Sequence, residues 1–381
     1  MKNKLYTTFI LAAVTFLVSC KSASKLYQKG DYDEAVTVAA KKLQKDPTNK
    51  SLQSTIIDAY RFAVNDHEKN IANYSASNND LKWEWMYNEY ASLQNLYDAI
   101  YRSPQVYQLV NPTDYSSYLT TYAEKAGDAR YERGLTLMGK NDKQSFKNAY
   151  SEFQAALRFK PGDIGIMDKI NEAYNDAVTN VVLLPMNHYD FSFSSYNYDY
   201  TNVDERLIRD LKNNSGNQFI KFYSAVEARS LNIRVDNYVE MQFMNMTIGR
   251  FNDTKKTREV SQKVVTKEIV YKPDSVVKVY GTVKAKIITT QRSMHSEGSL
   301  QISVRDAEGN RLWSDILKSN DDWYTEFATY TGDERALNDN DKQIVNRKQE
   351  KPPSEEEIIN CMTEEMNNNL PYKIREYFIR F

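Results

Sequence analysis

Side chains able to do acid–base, nucleophilic or metal chemistry are few in this 381-residue chain, which has three histidines and two cysteines. The run His67-Glu68-Lys69-Asn70-Ile71 begins like the zinc pattern H-E-x-x-H, in which two histidines four residues apart share one helical face. Isoleucine at position 71 removes the second ligand, so no metal centre is expected there. The sequence contains no G-x-S-x-G, no phosphate-binding P-loop and no G-x-G-x-x-G. Cys361 has no histidine near it in sequence to serve as a base. Acidic runs such as Glu355-Glu356-Glu357 and Asp321-Asp322 read as solvated surface rather than a general acid and base. The expectation is a chain without catalytic residues and without a cofactor.

Residues that could hold something are more evident. In HYDFSFSSYNYDY, residues 188–200, Tyr189, Phe191 and Phe193 alternate, as do Tyr196, Tyr198 and Tyr200. On an extended segment each triplet falls on one side, which makes a platform for a sugar ring, a peptide strand or a lipid headgroup. The same alternation fits a strand or loop packed on a sheet.

The chain opens with Lys2 and Lys4, followed by an apolar run over residues 5–18 that is shorter than the roughly 20 residues a helix needs to cross hydrocarbon. A basic start, an apolar middle and a small residue before a cut define a secretory leader. Leu17-Val18-Ser19-Cys20 then resembles the bacterial lipobox. That resemblance implies cleavage before Cys20, acylation of its thiol, and a membrane attachment to which each buried acyl CH2 adds about 0.8 kcal/mol. With Lys21 rather than aspartate at the next position, similarity to lipoprotein sorting rules implies the outer membrane. The absence of an acidic cluster of the Bacteroidota surface-export kind implies its periplasmic face. Asp274-Ser275-Val276 resembles the O-glycosylation acceptor of periplasmic Bacteroidota proteins, which would place a sugar on Ser275.

Loss of the leader removes Lys2 and Lys4 and leaves 48 basic against 51 acidic side chains. No large basic field is expected from that balance, which argues against nucleic acid as a partner. Cys361 would be the one mature thiol besides the lipidated one, with no disulfide to form; its setting, IINCMTEEM, reads as a buried helical position. Twelve glycines are few for a loop-built catalytic site, whereas 28 tyrosines suit half-exposed surfaces with apolar bodies and wet tips.

Apolar periodicity divides the chain into a leader (1–19), a helical domain (20–178), a sheet-containing domain (179–330), a polar loop (331–355) and a closing helical segment (356–381). KLYQKGDYDEAVTVAAKKLQKDPTNKS resembles half of a tetratricopeptide repeat, with Gly30 at the inter-helix turn, Ala35 and Ala39 at close helix contacts and Pro47 beyond the second helix. A second match has Ala149, Phe153, Ala156 and Pro161 at the same offsets, with Gly134 about three residues too early and an enlarged turn, MGKNDKQS, expected between its helices. Between them, Trp83, Tyr87, Tyr90, Leu93, Tyr97 and Ile100 form a stripe that reads as helix–helix core.

From Thr179 the period turns strand-like. One short strand ends at Leu184-Pro185, a helix follows, and YVEMQFMNMTIGRF, EVSQKVVTKEIVY, VVKVYGTVKAKIITTQ, EGSLQISVRD and RLWSDIL read as further strands. With Asp306, Gly309 and Trp313 late in the series, residues 179–330 resemble the curli-secretion-channel and penicillin-binding-protein-activator type of envelope lipoprotein domain. The fold class expected is therefore α+β and multidomain: tetratricopeptide-like helices, then an α/β domain with a largely antiparallel sheet. Similarity in design to the repeat-containing lipoprotein of the outer-membrane barrel assembly machinery implies a scaffold for outer-membrane or periplasmic proteins. The other class of function left open is a cell-wall or glycan-binding protein, either an enzyme or an activator of a peptidoglycan synthase.

Overall fold

The computed structural model describes residues 22–186, 201–271 and 275–380. The chain forms two compact units, Met1–Ala177 and Val178–Phe381.

The first unit is helical: α1 (Ala23–Lys29), α2 (Tyr32–Leu43), α3 (Lys50–Ser75), α4 (Lys82–Tyr101), α5 (Pro104–Val110), α6 (Ser116–Met138), α7 (Lys143–Phe159) and α8 (Ile164–Ala177). The turn between α1 and α2 is tight because Gly30 takes φ +87°, where a side chain is strained, and its N–H reaches back to the carbonyls of Leu26 and Tyr27. Ala35 and Ala39 are fully buried and let α2 lie close against its neighbours. Asn49 caps α3 by accepting from the Leu52 N–H at 3.1 Å, and Asp142 caps α7 in the same way through the Ser145 N–H at 2.8 Å.

The α6–α7 turn occupies only residues 139–142, shorter than the sequence suggests, because Met138 ends α6 and Lys143-Gln144-Ser145 already belong to α7. Gly134 is thus inside α6, where the Phe153 ring occupies the space a side chain would take. The aromatic stripe of α4 divides by face. Leu93 and Ile100 are buried with Met86 and Leu96, while Trp83, Tyr87, Tyr90 and Tyr97 are only half-buried.

The second unit contains β1 (Thr179–Leu183), α9 (Thr201–Asn213), β2 (Ile220–Ser224), α10 (Ala225–Ser230), β3 (Asn237–Thr247), β4 (Asn252–Tyr271), β5 (Ser275–Asp306), β6 (Arg311–Gly332), α11 (Asp339–Val345) and α12 (Glu355–Phe378). The fold is α+β, but its sheet is mixed rather than largely antiparallel. β1 lies between β2 and β3 and is parallel to both, whereas β3, β4 and β6 each pair antiparallel with β5. The physical reason is the connection: a chain that leaves β1 and returns through a helix re-enters the sheet in the same direction, which a hairpin cannot do.

Two sequence-predicted strands, VVKVYGTVKAKIITTQ and EGSLQISVRD, are one continuous 32-residue strand, β5. The segment expected to be a polar loop over 331–355 contains a 3-10 turn (Glu334–Ala336) and α11, whose start is fixed by reciprocal Asn338–Asp341 capping. Val203, Leu207 and Leu211 of α9 and Ile358, Met362, Met366, Leu370, Ile374 and Phe378 of α12 cover one sheet face over β1, β2, β3 and β5. The DAEGNR turn is held by Asp306, whose carboxylate accepts from the Asn310 backbone N–H at 2.7 Å, with Gly309 at φ +91°. Trp313 stacks on Tyr377 of α12 at 5.2 Å.

Gly134 gives a direct test of the α6–α7 contact. Alanine in a helix is ordinarily favoured over glycine by about 1 kcal/mol, but a methyl at position 134 would lie 2.7 Å from Phe153 Cδ1. Gly134→Ala is therefore predicted to destabilise the helical unit by about 1–3 kcal/mol through overpacking. Urea unfolding checks this, and a variant as stable as the parent contradicts it.

Candidate functional site

Two gatherings of polar and aromatic groups in the helical unit bear on function. At the first, α2, α3 and α4 meet around one imidazole. His67 of α3 has Nδ1 2.5 Å from Glu89 Oε2 and Nε2 3.0 Å from Asp33 Oδ2, and Asn70 Nδ2 donates to the other Glu89 oxygen at 3.3 Å. Burial pushes the imidazole toward neutrality, but hydrogen bonds to Asp33 and Glu89, with their negative charge, outweigh it and hold the His67 pKa at about 9. His67 is thus a cation near neutral pH, a pin between two carboxylates. The two acids contact opposite ring nitrogens and do not converge on one point, and no group of three metal-ligating side chains exists among the described residues.

The second place is an aromatic shelf on α4, α5 and α6. Tyr90 stacks on Tyr118 at 4.9 Å and on Tyr122 at 4.8 Å, and burial with the neighbouring phenols pushes its pKa to about 12. Trp83 lies 6.1 Å from Tyr122, with Lys82 Nζ 4.9 Å and Lys125 Nζ 4.6 Å from the indole centroid. Trp83 and Lys125 open onto a cleft of about 660 Å³ that also meets Asp80, Asp128, Glu132 and Arg133. A second ring group lies along the same helices: Tyr97 stacks on Tyr101 at 5.5 Å and meets Tyr107 edge-on at 6.1 Å. Tyr101 is 63% exposed and Tyr118 46% exposed.

The shelf rests on a charged clasp. Arg130 of α6 donates to Glu84 of α4 and to Glu152 of α7, both at 2.8 Å, while Arg133 donates to Glu152 at 3.1 Å. Burial raises the Glu152 pKa, yet the two guanidiniums outweigh it and leave the carboxyl more acidic than usual. Chemically the shelf can stack rings and pair charges, but it carries no nucleophile beside a base.

Cys20, His188 and the aromatics Tyr189, Phe191, Phe193, Tyr196, Tyr198 and Tyr200 lie outside the described residues. Ser275 is exposed, opposite Tyr271 in the β4–β5 pairing. His295 is exposed and 2.6 Å from Asp322 Oδ1. Cys361 is exposed rather than buried, since α12 turns Met362 and Ile358 inward and leaves position 361 on its outer side. No helix among the described residues is long and apolar enough to cross a membrane. Sequence reading missed the partners of the α4 aromatics; the spacing of Tyr115, Tyr118 and Tyr122 at three and four residues was the signal that could have found them. No protein-family model matches the chain, and no curated protein matches it.

The His67 pin makes stability depend on pH in a stated direction. Its folded pKa lies above the ordinary 6.5, so the extra stability is fully present below 6.5 and is lost as pH rises through about 9. His67→Gln is predicted to lower stability by on the order of 2 kcal/mol at pH 6, the half-exposed Asp33 reducing the full effect, and to cost little at pH 10. Denaturant melts of both proteins at the two pH values check this. An equal loss at both contradicts a charged imidazole.

Proposed function

We propose that the protein is a non-catalytic, lipid-anchored outer-membrane lipoprotein whose helical unit holds other envelope proteins together. The observation that carries this reading is the tyrosine shelf of α4–α6, on which Tyr101 and Tyr118 are exposed, with Trp83, Lys125 and Arg133 lining a cleft where α4 begins. Tyrosine, tryptophan and arginine dominate the binding energy of protein interfaces because each combines a large contact area with a polar end. Successive antiparallel helix pairs with small residues at their contacts, Ala35 and Ala39 in one and Ala149 and Ala156 in the other, supply a rigid support for that surface.

Attachment through Cys20 is the reading that best fits Leu17-Val18-Ser19-Cys20 at the end of a leader, with delivery to the periplasmic face of the outer membrane. The likeness of residues 179–330 to curli-channel and synthase-activator lipoprotein domains is part of the same proposal. It is supported by a helix, α9, that follows the Leu184-Pro185 end of β1 and returns the chain to the sheet. Secretion, barrel assembly and surface-organelle machines are the assemblies such a scaffold would serve. Ser275, exposed at the start of β5, is accessible for a glycan.

One observation favours a second reading. A tryptophan face bordered by two lysines and two aspartates, as at Trp83, also suits a sugar ring, which stacks its C–H groups on the indole while its hydroxyls meet the charges. In that case the protein binds cell wall or glycan, as an enzyme or as an activator of a peptidoglycan synthase.

Affinity purification from detergent-solubilised envelopes separates the two. The scaffold reading predicts a stoichiometric integral outer-membrane protein in the eluate. Tyr101→Ser with Tyr118→Ser, at exposed positions, is predicted to reduce that capture at least about tenfold with little change in melting temperature. Enrichment of wall polymer or a wall synthase supports the second reading. Recovery of the chain alone contradicts the scaffold.

A further inference from the structure

The β4–β5 hairpin outruns the rest of its sheet. β6 pairs with β5 only up to Gly332 opposite Ala285, and β3 pairs with β5 over residues 297–306. Residues 275–284 of β5 therefore pair with residues 261–271 of β4 alone, as a two-stranded ribbon about 34 Å long at 3.4 Å per residue. Such a ribbon is marginally stable in water by itself, and here both of its outer edges are without a neighbouring strand among the described residues.

Its side chains do not have the pattern of a solvated surface. On one face Val264, Ile269, Val277 and Val279 continue the apolar row of Val260, Val283, Ala285 and Ile287. The inner part of that row is covered by Ala336, Leu337, Ile344 and Val345, with Arg258 of β4 ion-paired to the buried Asp341. The outer part has no such cover among the described residues. On the opposite face Val270 is 68% exposed, Val276 52% and Tyr280 57%. Apolar residues thus project from both faces of the end of the ribbon.

Charge is segregated to the same place. Over residues 261–271 and 275–284, Lys263, Lys267, Lys278 and Lys284 stand against Glu268 alone, a balance of +3. Across the described residues 252–292 nine basic side chains face three acidic ones, +6, in a chain whose formal charge is −1. The near-neutral total therefore conceals a basic field that composition alone does not reveal.

We propose that this ribbon docks on the surface of a bilayer containing anionic phospholipid. Lysines spaced along a ribbon meet lipid phosphates, and a bilayer interface, unlike a flat protein face, accepts valines and a tyrosine from both sides of an inserted tip. A second copy of the ribbon is disfavoured because it brings the same positive charge, and lysines along an edge strand oppose pairing with another strand. Nucleic acid would engage the lysines but leave the valines of both faces in water. The proposal does not depend on the reading of Cys20 as an anchor.

The test uses the full chain with Cys20→Ser, Cys361→Ser and Val277→Cys, the new thiol carrying an environment-sensitive fluorophore that reports locally on the ribbon. A matching chain with Glu308→Cys in place of Val277→Cys, labelled in the turn before β6, is the control. With vesicles of 70:30 phosphatidylcholine to phosphatidylglycerol, the label at 277 is predicted to brighten and shift to the blue while that at 308 does not change. Pure phosphatidylcholine gives little response. Lys263→Glu, Lys278→Glu and Lys284→Glu together lower the partition coefficient about tenfold or more, with circular dichroism unchanged. Should that triple variant misfold, Val270→Ser with Val276→Ser is predicted to weaken partitioning through the apolar contribution alone. No response to anionic vesicles, or an equal response to neutral ones, overturns the proposal. A response to duplex DNA without vesicles, or one that grows with protein concentration and needs no lipid, overturns it in favour of nucleic acid or a second copy.

Discussion

One strand, β5, supplies backbone partners to three others, and the second unit is organised around that fact. Its 32 residues donate and accept along β3 at one end and β4 at the other on one edge, and along β6 from residue 285 to residue 305 on the opposite edge. What changes along β5 is cover. At residues 300–304 Leu300, Ile302 and Val304 are fully buried beneath α12 and its neighbours. At 285–287 cover comes from the short α11 and the turn before it. At 275–282 there is one pairing strand and, among the described residues, no covering helix. Because an unpaired edge and an exposed valine both leave groups facing water, stability must fall along this single element from one end to the other.

The first unit solves its packing differently. Small residues, Ala35, Ala39, Gly134, Ala149 and Ala156, bring helices together, and charged clasps hold their outer faces: His67 between Asp33 and Glu89, and Arg130 between Glu84 and Glu152. Each clasp joins groups drawn out of water, where breaking one partner costs more than forming the pair contributes. With the polar work done there, the tyrosines of α4, α5 and α6 are left to stack on one another and to face solvent. The exposed rings are thereby carried on helices rather than on loops.

Several of these features were legible in the sequence, for reasons of local chemistry. Gly30 and the alanines at repeat offsets mark turns and close helix contacts that few other residues permit. Asp306 and Gly309 mark a hairpin because an aspartate closes the turn and glycine takes the positive φ. What could not be read locally depends on partners far away in the chain. The parallel pairing of β1 follows from where α9 returns the chain, not from the residues of β1. Continuity of β5 through Ser293-Met294-His295-Ser296 was hidden because polar and apolar residues mix there, yet Met294 and Ser296 are buried, with β6 paired along one side and the Ser296 hydroxyl accepting from the Gly249 N–H on the other. The basic ribbon was hidden by averaging, since acidic residues elsewhere cancel it.

β5 is thus one strand with a covered end and an uncovered, basic end whose proposed partner is an anionic surface. Hydrogen exchange along β5, followed by mass spectrometry, tests it most directly. Amides at 275–284 are predicted to exchange far faster than those at 297–306 in solution. On adding phosphatidylglycerol-containing vesicles, protection rises at 275–284 and stays unchanged at 297–306. Slow, uniform exchange along the whole strand, or protection by vesicles confined to residues outside the ribbon, would contradict it.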